Sequence, residues 1–243
     1  MIEIIKPDWP APRNIVAFTT TRIGGISTDA CSSLNLGNRN ADSTENIMAN
    51  RKLLRSELAL PNEPYWINQT HSTIAIEIND NYIVTEADAS FTTQKNCICA
   101  VLTADCLPVL MCNSEGTAVA AIHAGWRGLL NGIIENAIEH FTDAPEQLMA
   151  WLGPAIGAEV YEVGDEVRDA FLQHDPQAEL AFKPSPNDRW LMDMYLLARQ
   201  RLNQKGITAI YGGEHCTYTE NNRFFSHRRD PKTGRQVSLI YRT

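Results

Sequence analysis

Two strand-sized apolar runs, residues 107–112 and 117–122, stand in the middle of the chain on either side of Asn113-Ser114-Glu115-Gly116. Four turn-forming residues between two buried runs predict a hairpin. A tight turn setting Asn113 against Gly116 brings Cys106 directly opposite His123, with Cβ atoms about 5 Å apart. A thiolate and an imidazole at that spacing can share one metal ion, or can act as nucleophile and base. A bulge at Pro108 would shift the register by one and weaken the pairing.

Composition narrows what the hairpin can serve. The chain has 243 residues, 44% apolar and 21% charged, enough for a sizeable core in a globular protein. With 21 basic against 29 acidic side chains the formal charge is −8. That balance offers no face for a phosphate backbone, so no nucleic acid is expected as partner. No apolar run approaches the roughly 20 residues of a membrane span, and no membrane partner is expected. Residues 1–10 lack a basic region followed by an apolar core, so a cytoplasmic location is expected. The six cysteines (Cys31, Cys97, Cys99, Cys106, Cys112 and Cys216) are then reduced. Cys97, Cys99 and Cys112 lie inside apolar runs and read as core residues.

In chain order, residues 15–20 read as a strand running into the loops Thr21-Arg22-Ile23-Gly24-Gly25 and Ser32 to Gly37. Asp42 as N-cap with Glu45 three residues on predicts a helix to about Leu58. Residues 65–71 read as a short aromatic strand with His71 at its end, followed by strands over 74–78 and 97–102. After His123, one amphipathic helix is expected over 129–141, and Arg127 with the helix start forms an expected anion site. A strand over 149–152, helices over 164–173 and 193–204, and a strand over 207–211 come next. A last hairpin is expected between residues 224–227 and 237–241. Strands and helices mix without strict alternation, which favours one α+β domain over residues 1–243.

The chain carries no Walker loop, dinucleotide fingerprint, His-Glu-x-x-His pair or Gly-x-Ser-x-Gly elbow. It does carry Gln69-Thr70-His71, Thr103-Ala104-Asp105-Cys106-Leu107-Pro108 and His123-Ala124-Gly125-Trp126-Arg127-Gly128. Gly153-Pro154-Ala155-Ile156, Phe224 to Arg229, and the loops at Thr21 and Ser33 complete the set. Together these resemble the YfiH/PgeF family, whose members have been called laccase-domain or polyphenol-oxidase proteins. The resemblance spans nearly the whole chain. One departure is His227, where relatives often have tyrosine before the double arginine.

The resemblance implies a layered sandwich of mixed sheets flanked by helices, and a zinc site of His71, Cys106 and His123. Three ligands with one open position suit catalysis rather than a structural site. Asp105 is expected beside the ligands as a partner or proton acceptor, and Cys106, Asp105 and Arg127 are the expected catalytic residues. The implied activity is phosphorolysis of adenosine, inosine, guanosine and methylthioadenosine, with deamination of adenosine. Water activated by zinc and attacking C6 of adenine is the chemistry of the zinc nucleobase deaminases. Phosphorolysis needs an anion pocket, for which Arg127 comes first, with Arg22, Arg228 and Arg229 as further options. The alternative is an amide hydrolase removing misincorporated serine from peptidoglycan precursors, through zinc or through Cys106 as nucleophile. Copper-dependent phenol oxidation ranks last, because six scattered histidines cannot build a multi-copper centre, although copper can replace zinc in the site.

Overall fold

The computed structural model describes residues 1–37, 42–79, 86–186 and 188–243. The strands are β1 (Ile4–Ile5), β2 (Ile15–Thr20), β3 (Tyr65–Trp66), β4 (Ala75–Glu77), β5 (Ala89–Thr92), β6 (Cys99–Thr103) and β7 (Leu107–Asn113). They continue as β8 (Val119–Ala124), β9 (Leu148–Leu152), β10 (Glu162–Val163), β11 (Phe182–Ser185), β12 (Arg189–Met192), β13 (Ala209–Gly212) and β14 (Gln236–Arg242). The helices are α1 (Thr44–Glu57), α2 (Trp126–Asn131), α3 (Ile133–Ile138), α4 (Asp165–His174) and α5 (Met194–Gln204).

Two mixed sheets lie face to face. One has the order β1-β2-β14-β6-β3, the other β13-β9-β7-β8-β5-β4, and a small sheet β10-β12-β11 stands apart. Between the large sheets, Ala17, Val101 and Ile240 meet Leu110, Cys112, Val119, Ala121 and Trp151. The outer face of the six-stranded sheet carries Val109, Met111, Ile122 and Leu152, packed on Leu129, Ile133, Ile134, Leu197 and Leu202 of the helices. Strands β7, β8 and β9 are thus buried on both faces, which is why they read as unbroken apolar runs rather than alternating ones. The outer face of the five-stranded sheet is covered by Leu53 and Leu54 of α1 against Phe18, Ala100 and Leu239. This is the layered α+β sandwich expected. No helix among the described residues is long and apolar enough to cross a membrane.

Four local expectations change. The β7–β8 hairpin pairs Pro108 with His123 and Leu107 with Ala124, because the turn holds residues 114–117 and closes with Asn113 bonding to Ala118. Cys106 therefore lies two residues diagonal to His123, not opposite it. Helix 129–141 is broken at Gly132, whose φ of +100° is a left-handed value that ends α2 and opens α3. The N-cap of α1 is Ser43, whose hydroxyl accepts from the Asn46 amide, rather than Asp42. Residues 224–227 form no strand: β14 pairs with β2 and β6 instead. The Gln236 side chain takes the place of a ladder there, accepting from the Phe225 amide and donating to its carbonyl.

A candidate metal centre between the sheet ends

His123 is the second-to-last residue of β8, and Cys106 sits just ahead of β7, the neighbouring strand. An offset of two residues keeps both side chains on one face of the sheet, within diagonal reach. His71 comes from the bend before β4 and holds a φ of +62°, a left-handed backbone uncommon outside glycine though one that histidine tolerates better than most. The result is one cluster: the ligating atoms of His71, Cys106 and His123 all lie within 4.8 Å of one another. Among the described residues no other group of three such side chains does so. The two imidazole rings meet edge to face with centroids 4.8 Å apart.

The carboxylate that organises this cluster is Asp88, fully buried just before β5. Its Oδ1 lies 2.7 Å from His123 Nδ1, which leaves the other ring nitrogen for Cys106 or an ion. Asp88 also accepts from the amides of Thr70, His71 and Ser72 and from the Ser72 hydroxyl, so it sets the left-handed turn at His71. Burial opposes its charge, but the His123 and Ser72 hydrogen bonds outweigh burial and hold it down at about 2. Burial likewise opposes the His123 cation. The Cys106 thiolate and Asp88, both hydrogen-bonded to the ring, overcome it and raise His123 to about 9. Asp88 is the functional residue that the sequence motifs did not single out. The available signal was a lone acid between Ala87 and Ala89 at the head of a buried strand, where a charge requires partners.

The donor set fits a metal ion. Two imidazoles and one thiolate that leave a position open are the ligands of a catalytic zinc. Gly125 fits the same purpose, since a Cβ there would lie 2.4 Å from His71 Nδ1 and 3.3 Å from Cys106 Sγ. The His-Ala-Gly-Trp motif thus keeps the cradle free of carbon.

The cluster lines a cavity of about 190 Å³ together with Thr103, His227 and Arg235. It lies where the ends of the two large sheets meet, the five-stranded sheet contributing the end of β6 and the segment before β14. Asp105 does not line it. That residue, at φ +90°, accepts from the Thr217 hydroxyl at 2.7 Å and the Arg228 amide at 2.6 Å, tying the Cys106 loop to the segment around His227. Arg127 is exposed, with its guanidinium 4.3 Å from the Trp126 ring centre, and α2 behind it is only six residues long. Arg127 is not among the residues lining the cavity, and α2 is too short to add a helix N-terminus, so the structure does not bring the expected anion site to the cluster.

Tyr161 joins this side of the site. Burial, then the Cys106 thiolate, push its phenol above the usual range, while Arg228 and Arg127 pull it down. Arg228 also lies over the Tyr161 ring at 5.0 Å. Arg229 is used structurally, bonding the carbonyls of Thr217, Tyr218 and Phe224. Arg22 bonds the carbonyls of Ser32 and Asn221, away from the cavity.

Residues 16–243 match the family described as multi-copper polyphenol oxidoreductase laccase. The chain is 48% identical over 242 residues to the purine nucleoside phosphorylase YfiH of Shigella flexneri, covering 99% of each. Its fold matches the crystal structure of a Neisseria meningitidis protein with a TM-score of 0.94, at 45% identity and 98% coverage of both chains. The crystal structure of the YlmD protein of Geobacillus stearothermophilus matches with a TM-score of 0.86, at 30% identity and 96% and 93% coverage.

Proposed function

The chain belongs to the family described as multi-copper polyphenol oxidoreductase laccase, that of the YfiH proteins, and from that membership we propose a metal-dependent purine nucleoside enzyme. The reaction is phosphorolysis of adenosine, inosine, guanosine and methylthioadenosine, with adenosine deamination as a second outcome in the same cavity. The observation that carries the reading is the His71–Cys106–His123 cluster lining that cavity. Relatives named purine nucleoside phosphorylase, aligned end to end, support the substrate class. Zinc suits the donor set, and copper is the competing ion. When bound, the ion supplies a Lewis acid and lowers the pKa of a water at the open position.

The chain's own residues have separate tasks. His71, Cys106 and His123 hold the ion, and Asp88 keeps His123 in the tautomer that presents its second nitrogen. Asp105 fixes the Cys106 loop. Arg127, exposed on the Trp126 ring, and Arg228, over the Tyr161 ring, are the cations offered for the phosphate, although neither lines the cavity. Phenol oxidation through several coppers would need further histidine clusters, and one group of three is present among the described residues.

A second reading has its own support. Cys106, His123 and Asp88 form a hydrogen-bonded series of nucleophile, base and orienting acid, an arrangement suited to amide hydrolysis without metal. The test incubates adenosine, inosine, guanosine and methylthioadenosine separately, each with and without phosphate, on protein of known metal content, and follows products by mass. Adenine with ribose 1-phosphate, dependent on phosphate and lost in Cys106→Ala, is the expected result. Inosine formed without phosphate marks the deaminase. Silence on all four nucleosides, with chelator-resistant release of serine from a muramyl-serine precursor, would replace the reading with the hydrolase.

A further inference from the structure

We propose that His227 is the general acid of this cavity, giving the departing purine its proton at N7. The inference rests on the nucleoside reading above and names a catalytic residue for it.

Phosphorolysis of a purine nucleoside breaks C1′–N9 and sends the bond's electron pair into the base, while a phosphate oxygen bonds to C1′. The base leaves well only when a proton reaches it, and N7 is the exposed basic nitrogen of the ring. A cavity that performs this step needs a group able to hold and release a proton beside the purine. The cavity walls contain few such groups. His123 is engaged by Asp88 on one nitrogen and by Cys106 on the ring's other side. His71 belongs to the ion cluster. Gln69 uses both ends of its amide on the Leu102 backbone, at 2.8 Å each. Arg235 is permanently charged and bonds the carbonyls of Thr233 and Gly234. Asp105 is consumed by Thr217 and the Arg228 amide and stands outside the lining.

His227 is different. It lines the cavity, is exposed, and its imidazole has no hydrogen bond, ion pair or ring contact among the described residues. Its position is nonetheless held. The Arg228 amide donates to Asp105, one residue from Cys106, and the buried Ser226 hydroxyl accepts from the Arg229 amide. The ring is thus free to meet a ligand while its backbone is pinned to the loop that carries the Cys106 ligand. The imidazolium passes a proton to N7, and hydrogen phosphate, losing its own proton as it becomes the sugar ester, restores it. Atoms and charge balance without a further reactant.

The experiment compares wild type, His227→Gln and His227→Ala, each with measured zinc content, on inosine and on 7-methylinosine with inorganic phosphate. The methylated base is already cationic and leaves without a proton at N7. His227→Gln is expected to lower kcat on inosine by about 10²-fold, with KM within a few-fold, and to leave kcat on 7-methylinosine within about twofold. Hypoxanthine affinity, read calorimetrically on the same proteins, is expected to fall by about tenfold through loss of one hydrogen bond. Equal losses on both nucleosides would make the role structural and overturn the proposal, as would no loss on either. Wild-type protein inactive on both nucleosides would instead overturn the nucleoside reading, and the proposal with it.

Discussion

At Asp88 one carboxylate meets five donors: three consecutive amides, one hydroxyl and the His123 imidazole. An amide side chain has one acceptor and would turn its own N–H groups against those donors. Asp88→Asn should therefore weaken zinc binding by about 10–100-fold and destabilise the fold by about 2–4 kcal/mol. Competition with a coloured chelator and urea unfolding check the two effects separately. His123 adds a pH dependence. In the metal-free protein its proton persists to about pH 9, and an ion must expel it, so zinc affinity should rise about tenfold per pH unit up to about 9 and then level. Its folded value lies above the ordinary 6.5, so its stabilisation is complete below pH 6.5 and is lost as pH climbs through about 9. Asp88 lies below the ordinary 3.8, so its contribution is complete above that pH and is lost as pH falls through about 2. Unfolding the metal-stripped protein across pH measures both limbs.

Between β8 and α2 the chain turns on Gly125, where any side chain would occupy the place of the ligands. Gly125→Ala should abolish zinc uptake while the metal-free fold persists, because its φ of −67° suits alanine. Gly132→Ala should do the reverse. Its left-handed φ costs about 1 kcal/mol as alanine, and metal uptake stays intact. Metal analysis and melting curves on both variants test the pair. How far these elements could be read from sequence depended on whether the pattern was local. The runs that became β7, β8 and β9 were legible because both their faces are buried. The hairpin register was not, since Asn113 to Thr117 accommodates a two-residue turn at 114–115 and the four-residue turn at 114–117 alike. The break at Gly132 was hidden by an apolar stripe that continues unchanged across it. Residues 224–227 looked like a strand, but the partner they needed, β14, already lies between β2 and β6.

Across the whole molecule, the two large sheets bring together segments more than a hundred residues apart. His71, Asp88, Cys106 and His123 come from one sheet and its loops, whereas Thr103 and Arg235 arrive on the other. That Cys106 and His123 lie close together was legible from local spacing, though their diagonal register was not, and His71 was joined to them by a resemblance. Asp88 and His227 required the fold, because their roles depend on which sheet ends meet. The central claim is that this junction is one metal-dependent site for purine nucleosides. The most direct test titrates zinc into stripped wild-type protein and into Cys106→Ala, reading bound metal and phosphate-dependent adenine release together. Activity rising in step with metal to a plateau at one ion per chain, with neither signal in Cys106→Ala, is the predicted result. Full activity in the stripped protein, or metal uptake unchanged in Cys106→Ala, would contradict it.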